Sequence, residues 1–228
     1  MGWISNVAST VGSFISSIAP SVGTKIGGFA SKFLGIVEKL PIPGLEIIKV
    51  VSTVASIVNM VVKLLDIETE MNPEILGAKV EQCDKSIEEF DDVEAYIKYL
   101  KNDIVLDKQR FDSLSMEERF GCKIVGMSLE TKAIENKLDD IVITPESLAL
   151  LIKLEKSGFN IEAKTLLNTI NALKESGITD MDEVVAFFEG KGGNDRIKTG
   201  EVITKELGDE SFGKVLDLQE AVREFEED

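Results

Sequence analysis

Cys122, set in Phe-Gly-Cys-Lys, is the side chain whose type best suits it to act as a nucleophile, and nothing in the sequence activates it in the usual way. The chain contains no histidine, which removes the commonest general base and the commonest metal ligand. A Ser–His–Asp or Cys–His site cannot be assembled. Cys83 and Cys122 form no CxxC pair, so they read as free thiols of a reducing compartment rather than as a disulfide framework or a zinc site. A buried structural cysteine is the expected role of Cys122. The carboxylate pairs Glu88-Glu89, Asp91-Asp92 and Asp139-Asp140 are adjacent in sequence. Neighbouring positions on a helix point in different directions, so these pairs read as solvated charge rather than as acid/base dyads. Asp180 and Asp182 are not followed by the glycine and further ligands of a calcium loop. The segment from Gly190 to Asp195 is the one glycine-rich loop. It lacks the spacing of a phosphate-binding loop and no apolar strand precedes it, so it reads as a connection. The expectation is a protein with no catalytic residue, no cofactor and no metal site.

Chemistry having offered so little, the elements themselves carry the information. The net charge of −16 disfavours a nucleic-acid partner. It is also unevenly spread. Residues 1–65 hold five Lys and two Glu, a net of +3; the remainder holds 20 basic and 39 acidic residues, a net of −19. Such asymmetry fits two different environments or partners, or simply an apolar core segment poor in charge. The N-terminus lacks a basic region and a small-residue cleavage site, so the expected location is cytoplasmic or within an assembly, with peripheral membrane attachment open. Met1-Gly2 does not extend to the myristoylation pattern, because Asn6 stands where Ser or Thr is needed.

Residues 4–40 repeat every eleven positions. Ile4, Ile15, Ile26 and Val37 share one frame; Val7, Ile18, Phe29 and Leu40 a second; Val11, Val22 and Phe33 a third. Eleven residues make almost three helical turns, so the stripe, with Phe14 beside it, stays on one side of a long helix. The other side carries Ser, Thr and Gly where a soluble surface helix usually carries Lys and Glu, and no Asp or Glu precedes Glu38. Glycines 12, 23, 27, 28 and 35 each weaken an isolated helix by about 1 kcal/mol. The segment therefore needs a surface: a membrane, the rest of the chain, or other subunits. Trp3, at the end of the stripe, suits a lipid headgroup boundary or a protein core.

A second rhythm runs through the same segment. Ser5, Ser9, Ser13 and Ser17 recur every four residues, and Gly23, Gly27, Ser31 and Gly35 continue after a shift. Small residues at this spacing allow close approach of two helices. The composition also resembles that of amphipathic lipid-packing sensors. Pro20 and the Pro41–Gly44 linker divide the region into helices near 3–18, 22–40 and 45–65. In the third, the uncharged run from Val50 to Val62 is short of the roughly 20 residues that span a bilayer, although Lys49 and Lys63 could snorkel.

Residues 66–228 read as soluble helices. Asn72-Pro73 opens one; Leu76, Val80, Cys83, Ile87 and Phe90 then give a heptad-like face that continues through Val93, Ile97, Leu100 and Ile104. A capping box at Ser115–Glu118 starts a helix toward Leu138. Thr144-Pro145 starts another, Asn160 a third, and Thr179 or Asp180 a fourth, with ends near Gly158, Gly177 and Gly190. Lys-Leu-Glu-Lys-Ser-Gly and Ala-Leu-Lys-Glu-Ser-Gly read as two similar helix endings. The closing Arg-Glu-Phe-Glu-Glu-Asp228 reads as an acidic tail.

The sequence thus predicts an all-α protein: hairpin-like apolar N-terminal helices (1–65), an acidic helical region (66–143) and a short-helix C-terminal region (144–228). The leading functional expectation is a non-enzymatic membrane-associating or membrane-perturbing protein acting through residues 1–65. The alternative is a soluble structural or interaction subunit of a larger assembly (a virion, secretion or injection apparatus) using the same helices to pack on other subunits. The expected partners are lipid or protein, not nucleic acid, with homo- or hetero-oligomers expected. Burial of the stripe against the rest of the chain would favour the second.

Overall fold

The computed structural model describes residues 2–67, 71–191, 195–207 and 212–227; the side chains of residues 2–6, Phe212, Lys214, Glu226 and Glu227 are not among those described. Among the described residues the protein is all-helical, with no strand. Two compact units divide the chain, residues 1–137 and 138–228. The region expected as 1–65 and most of that expected as 66–143, as far as Lys137, therefore share one unit. The physical reason is the requirement already stated: the N-terminal helices need a cover, and the helices that follow supply it.

The first unit contains α1 (Gly2–Val37), α2 (Gly44–Leu64), α3 (Pro73–Glu81), α4 (Val93–Asn102), α5 (Lys108–Ser113) and most of α6 (Met116–Leu138). The expected break at Pro20 is displaced. The helix continues through Pro20 and loses its geometry at Gly23, with φ 69° and ψ 168°. That region of backbone space is open essentially to glycine alone. A Cβ there would also stand 3.0 Å from Ile87 Cγ2. Proline strains the helix, but the residue able to turn is the one that turns.

Asn72 caps α3, its side chain accepting from the Glu74 N–H at 2.9 Å, with Pro73 at the first helical position. The heptad-like face does not form one helix. α3 stops at Glu81, and Ser86 caps a separate 3₁₀ turn at Ile87–Glu89. The 4-3-4-3 spacing crosses a turn: Leu76, Val80 and Cys83 are buried, while Ile87 and Phe90 are half-buried. Ser115 and Glu118 exchange backbone and side-chain bonds at 2.8 and 3.2 Å and start α6.

The second unit contains α7 (Pro145–Lys156), α8 (Ala163–Glu175), α9 (Asp182–Phe188), α10 (Arg196–Leu207) and α11 (Phe212–Glu227). Thr144 caps α7 through a reciprocal pair with Ser147. The two similar phrases are two copies of one helix ending. Gly158 and Gly177 adopt φ 83° and 77°, and the N–H groups of Phe159 and Ile178 reach back to the Leu154 and Leu173 carbonyls at 3.1 and 2.9 Å, the bonding of a Schellman cap. Two caps lie elsewhere than expected. α8 starts after Glu162, not Asn160, because Glu155 Oε1 accepts the Ile161 N–H at 2.9 Å and holds that loop extended. α9 starts after Met181; Asp180 accepts from the Asp182 N–H at 3.0 Å, and Val142 bridges to Asp180. Of the glycine-rich loop, residues 192–194 lie outside the described residues. The C-terminal acidic run is helical as far as Glu227, and Asp228 lies outside the described residues.

Candidate functional site

The apolar stripe is covered within its own unit. Val7, Val11, Phe14, Ile15, Ile18, Val22, Ile26, Phe29, Phe33, Val37 and Leu40 are all buried, none more than 8% exposed. The side chains of Trp3 and Ile4 lie outside the described ones. α1 packs on α2, α3 and the 3₁₀ turn, and α6 completes the cover. The Phe14 ring stands 2.7 Å from where a Cβ on Gly121 would be. The Lys132 ammonium sits 4.8 Å from the centre of the Phe29 ring, a cation–π contact that turns one polar side chain of α6 into part of the lid over α1.

The small-residue ladder has a different fate. Ser9, Ser13, Ser17 and Ser31 face solvent, so within this chain they bring no second helix close. Gly35 has open space at its Cβ position. The side chain of Ser5 is not described. Gly23 sits at the break, where a Cβ would stand 3.0 Å from Ile87 Cγ2, and the Cβ position of Gly27 lies at ordinary contact distance, 3.6 Å, from Ala19 Cβ. Close helix packing occurs where sequence reading did not place it. A Cβ on Gly77 of α3 would stand 1.9 Å from the Cys122 carbonyl oxygen, and one on Gly126 of α6 would stand 1.9 Å from that of Pro73. Both glycines sit inside helices otherwise rich in larger residues, and an isolated glycine in a helix was the available signal.

α2 joins the same core through one face, burying Ile47, Val51, Val54, Val58 and Val62 among others. Its outer face exposes Leu45, Lys49, Thr53, Ser56, Met60 and Lys63. It is also the one helix among the described residues long and apolar enough to cross a membrane, with 21 residues, a mean hydropathy of 1.8 and half of the window buried. A buried polar contact ties it to α6: Asn59 Nδ2 donates to Glu130 Oε1 at 2.5 Å and to the Met71 carbonyl at 2.8 Å. Glu130 Oε2 has no partner among the described residues. Burial drives the Glu130 pKa up to about 8, against the opposing pull of the Asn59 hydrogen bond and the Lys63 charge. The group is mostly a neutral carboxylic acid at neutral pH, as a dry interior requires of an unpaired carboxylate. A second tie is Lys123 Nζ, 2.9 Å from Ser52 Oγ and 3.4 Å from Glu74 Oε2.

Neither cysteine is set up for nucleophilic chemistry. Both are buried and free. Burial, aided by the charges of Glu81 and Glu74, lifts the Cys122 pKa to about 12 and holds it as the thiol. Among the described residues no three His, Cys, Asp or Glu side chains gather as a metal site would need.

What remains at the surface of the N-terminal helices is mostly small, polar or basic, with Leu45, Met60 and Leu64 exposed on α2. Lys25, Lys32, Lys39, Lys49 and Lys63 are all exposed, while α1 has no acidic residue. The outer face of α1 is Ser, Thr, Gly and Lys on a chain of net charge −16. No protein-family model matches the chain, and no curated protein or solved structure proved similar to it.

Proposed function

We propose that this is a non-enzymatic interaction protein, a soluble helical subunit that docks on partner subunits through the outer face of α1, which carries no acidic residue. The observation that carries this reading is the burial of the stripe. Its described side chains are already covered by α2, α3, the 3₁₀ turn and α6, so they do not need lipid. The face left for a partner is lysine-bearing and small, and it suits an acidic protein surface brought close. Light scattering at micromolar concentration without detergent tests the reading. A discrete oligomer is the expected result, and a clean monomer counts against it.

A second reading, membrane association, is favoured by one specific observation: α2 has the length and hydropathy of a membrane-crossing helix and carries exposed Leu45, Met60 and Leu64. In that reading α2 leaves α6 and gives up the Asn59–Glu130 contact, while the five lysines meet anionic headgroups. Co-sedimentation with anionic phospholipid vesicles, together with dye release, separates the two. The interaction reading expects neither. Both together, from a monomeric protein, would replace it with the membrane reading.

A further inference from the structure

The second unit contains a cavity of about 430 Å³ to which all five of its helices contribute, within the roughly 300–1,000 Å³ typical of small-ligand sites. Its wall is mainly apolar, with Leu154 from α7, Leu166 from α8, Phe188 from α9, Ile203 from α10 and Leu218 from α11. The polar side chains on it include two carboxylates, Glu162 and Glu206, and no Lys or Arg lines it. Neither carboxylate has an ion pair or side-chain hydrogen bond among the described residues. Glu206 stands in the last turn of α10, where the helix dipole carries partial negative charge and a cation is the favoured neighbour. The nearby Lys205 does not serve, because it lines a separate groove with Arg196 and Glu201. That groove holds charges of both signs, whereas this cavity has only negative ones.

We propose that this cavity binds a small apolar molecule with a cationic head, such as an alkyl or aryl ammonium, its apolar body among the leucines and its N–H donors on Glu162 and Glu206. Such a ligand removes apolar surface from water and supplies both unpaired carboxylates with charge-assisted bonds. A carboxylate ligand of the same shape would meet repulsion, and an alcohol would give only neutral bonds.

The test uses the full chain with a neutral fluorescent probe, N-phenyl-1-naphthylamine, displaced by octylammonium, octanoate or octanol. Octylammonium is expected to displace the probe at about tenfold lower concentration than the other two, the scale of a hydrogen bond to a charged group. In Glu162→Gln with Glu206→Gln, which keeps shape and removes charge, the probe should still bind and that preference should vanish. Leu166→Trp, which fills the cavity, should abolish probe binding while the circular dichroism spectrum stays helical. The proposal is overturned if the probe does not bind, if binding survives Leu166→Trp, or if the ammonium preference is absent or survives loss of both charges.

Discussion

α1 and α6 are the two longest helices of the first unit, and they present opposite problems. α1 is the more apolar of the two and carries a stripe visible in the sequence, yet it lies at the periphery with one wet face. α6 contains Ser128, Glu130, Thr131 and Lys132, yet every residue from Ile124 to Thr131 is buried. Apolar content did not decide which helix took the centre. The central helix is the one whose polar side chains find partners inside: Ser128 and Thr131 hydroxyls donate to carbonyls four residues back, both at 2.8 Å, Glu130 receives Asn59, and Lys132 caps Phe29. Gly126 of α6 and Gly77 of α3 let the backbones of these two helices meet.

That contrast can be broken from either side. The largest effect is expected at the stripe. Phe33→Ala, at a fully buried site, should cost about 3–5 kcal/mol in denaturant unfolding of the first unit. A loss below about 1 kcal/mol would mean the stripe is not core. Gly126→Ala should cost about 1–3 kcal/mol or more, because the new methyl collides with the Pro73 carbonyl rather than a movable side chain. Gly23→Ala should follow at about 1–3 kcal/mol for a non-glycine residue at this backbone geometry. At the other end, Ser13→Ala should stay within about 0.5 kcal/mol, since the site is exposed; a large loss in an isolated monomer would show that the ladder packs after all.

Glu130 sharpens the comparison through pH. Its folded pKa is raised from the usual 4.5 to about 8, so between those values the folded state holds a proton the unfolded state has released. Stability from this group is fully present below pH 4.5 and falls as pH rises, at up to about 1.4 kcal/mol per pH unit, until the folded group ionises. Glu130→Gln should remove that slope, leaving the variant less sensitive than the parent to a change from pH 6 to pH 9. Unfolding curves at both values check this; an unchanged slope would place the titration elsewhere.

Much of the local structure was legible because it is written in single residues. Asn72-Pro73, Ser115 with Glu118, and Thr144-Pro145 all cap helices, and Gly158, Gly177 and Gly190 end them. Where a tertiary bond competed, local reading failed: Glu155 captures the loop that Asn160 was expected to cap. The stripe was legible as an apolar face, but its cover was not. A helix buried nearly all round leaves no periodicity to read, and α6 disguises itself further by burying polar side chains that bond to its own backbone and to Asn59 of α2. The serines lie on the outer face of α1, so their spacing brings no second helix of this chain close, and spacing alone does not say which way a helix is turned.

The contact between α3 and α6 has one more consequence. Pro73 meets Gly126 and Gly77 meets Cys122, so the helices cross antiparallel, with three residues between the contact points on each. The two contacts act as a ruler of fixed length. One residue added to α6 between Cys122 and Gly126 would rotate one contact about 100° away from the other, and a bulky side chain would be driven into the opposite backbone. Changes in chain length should therefore be tolerated in the turns on either side of this crossing and forbidden within it, whatever residue is inserted.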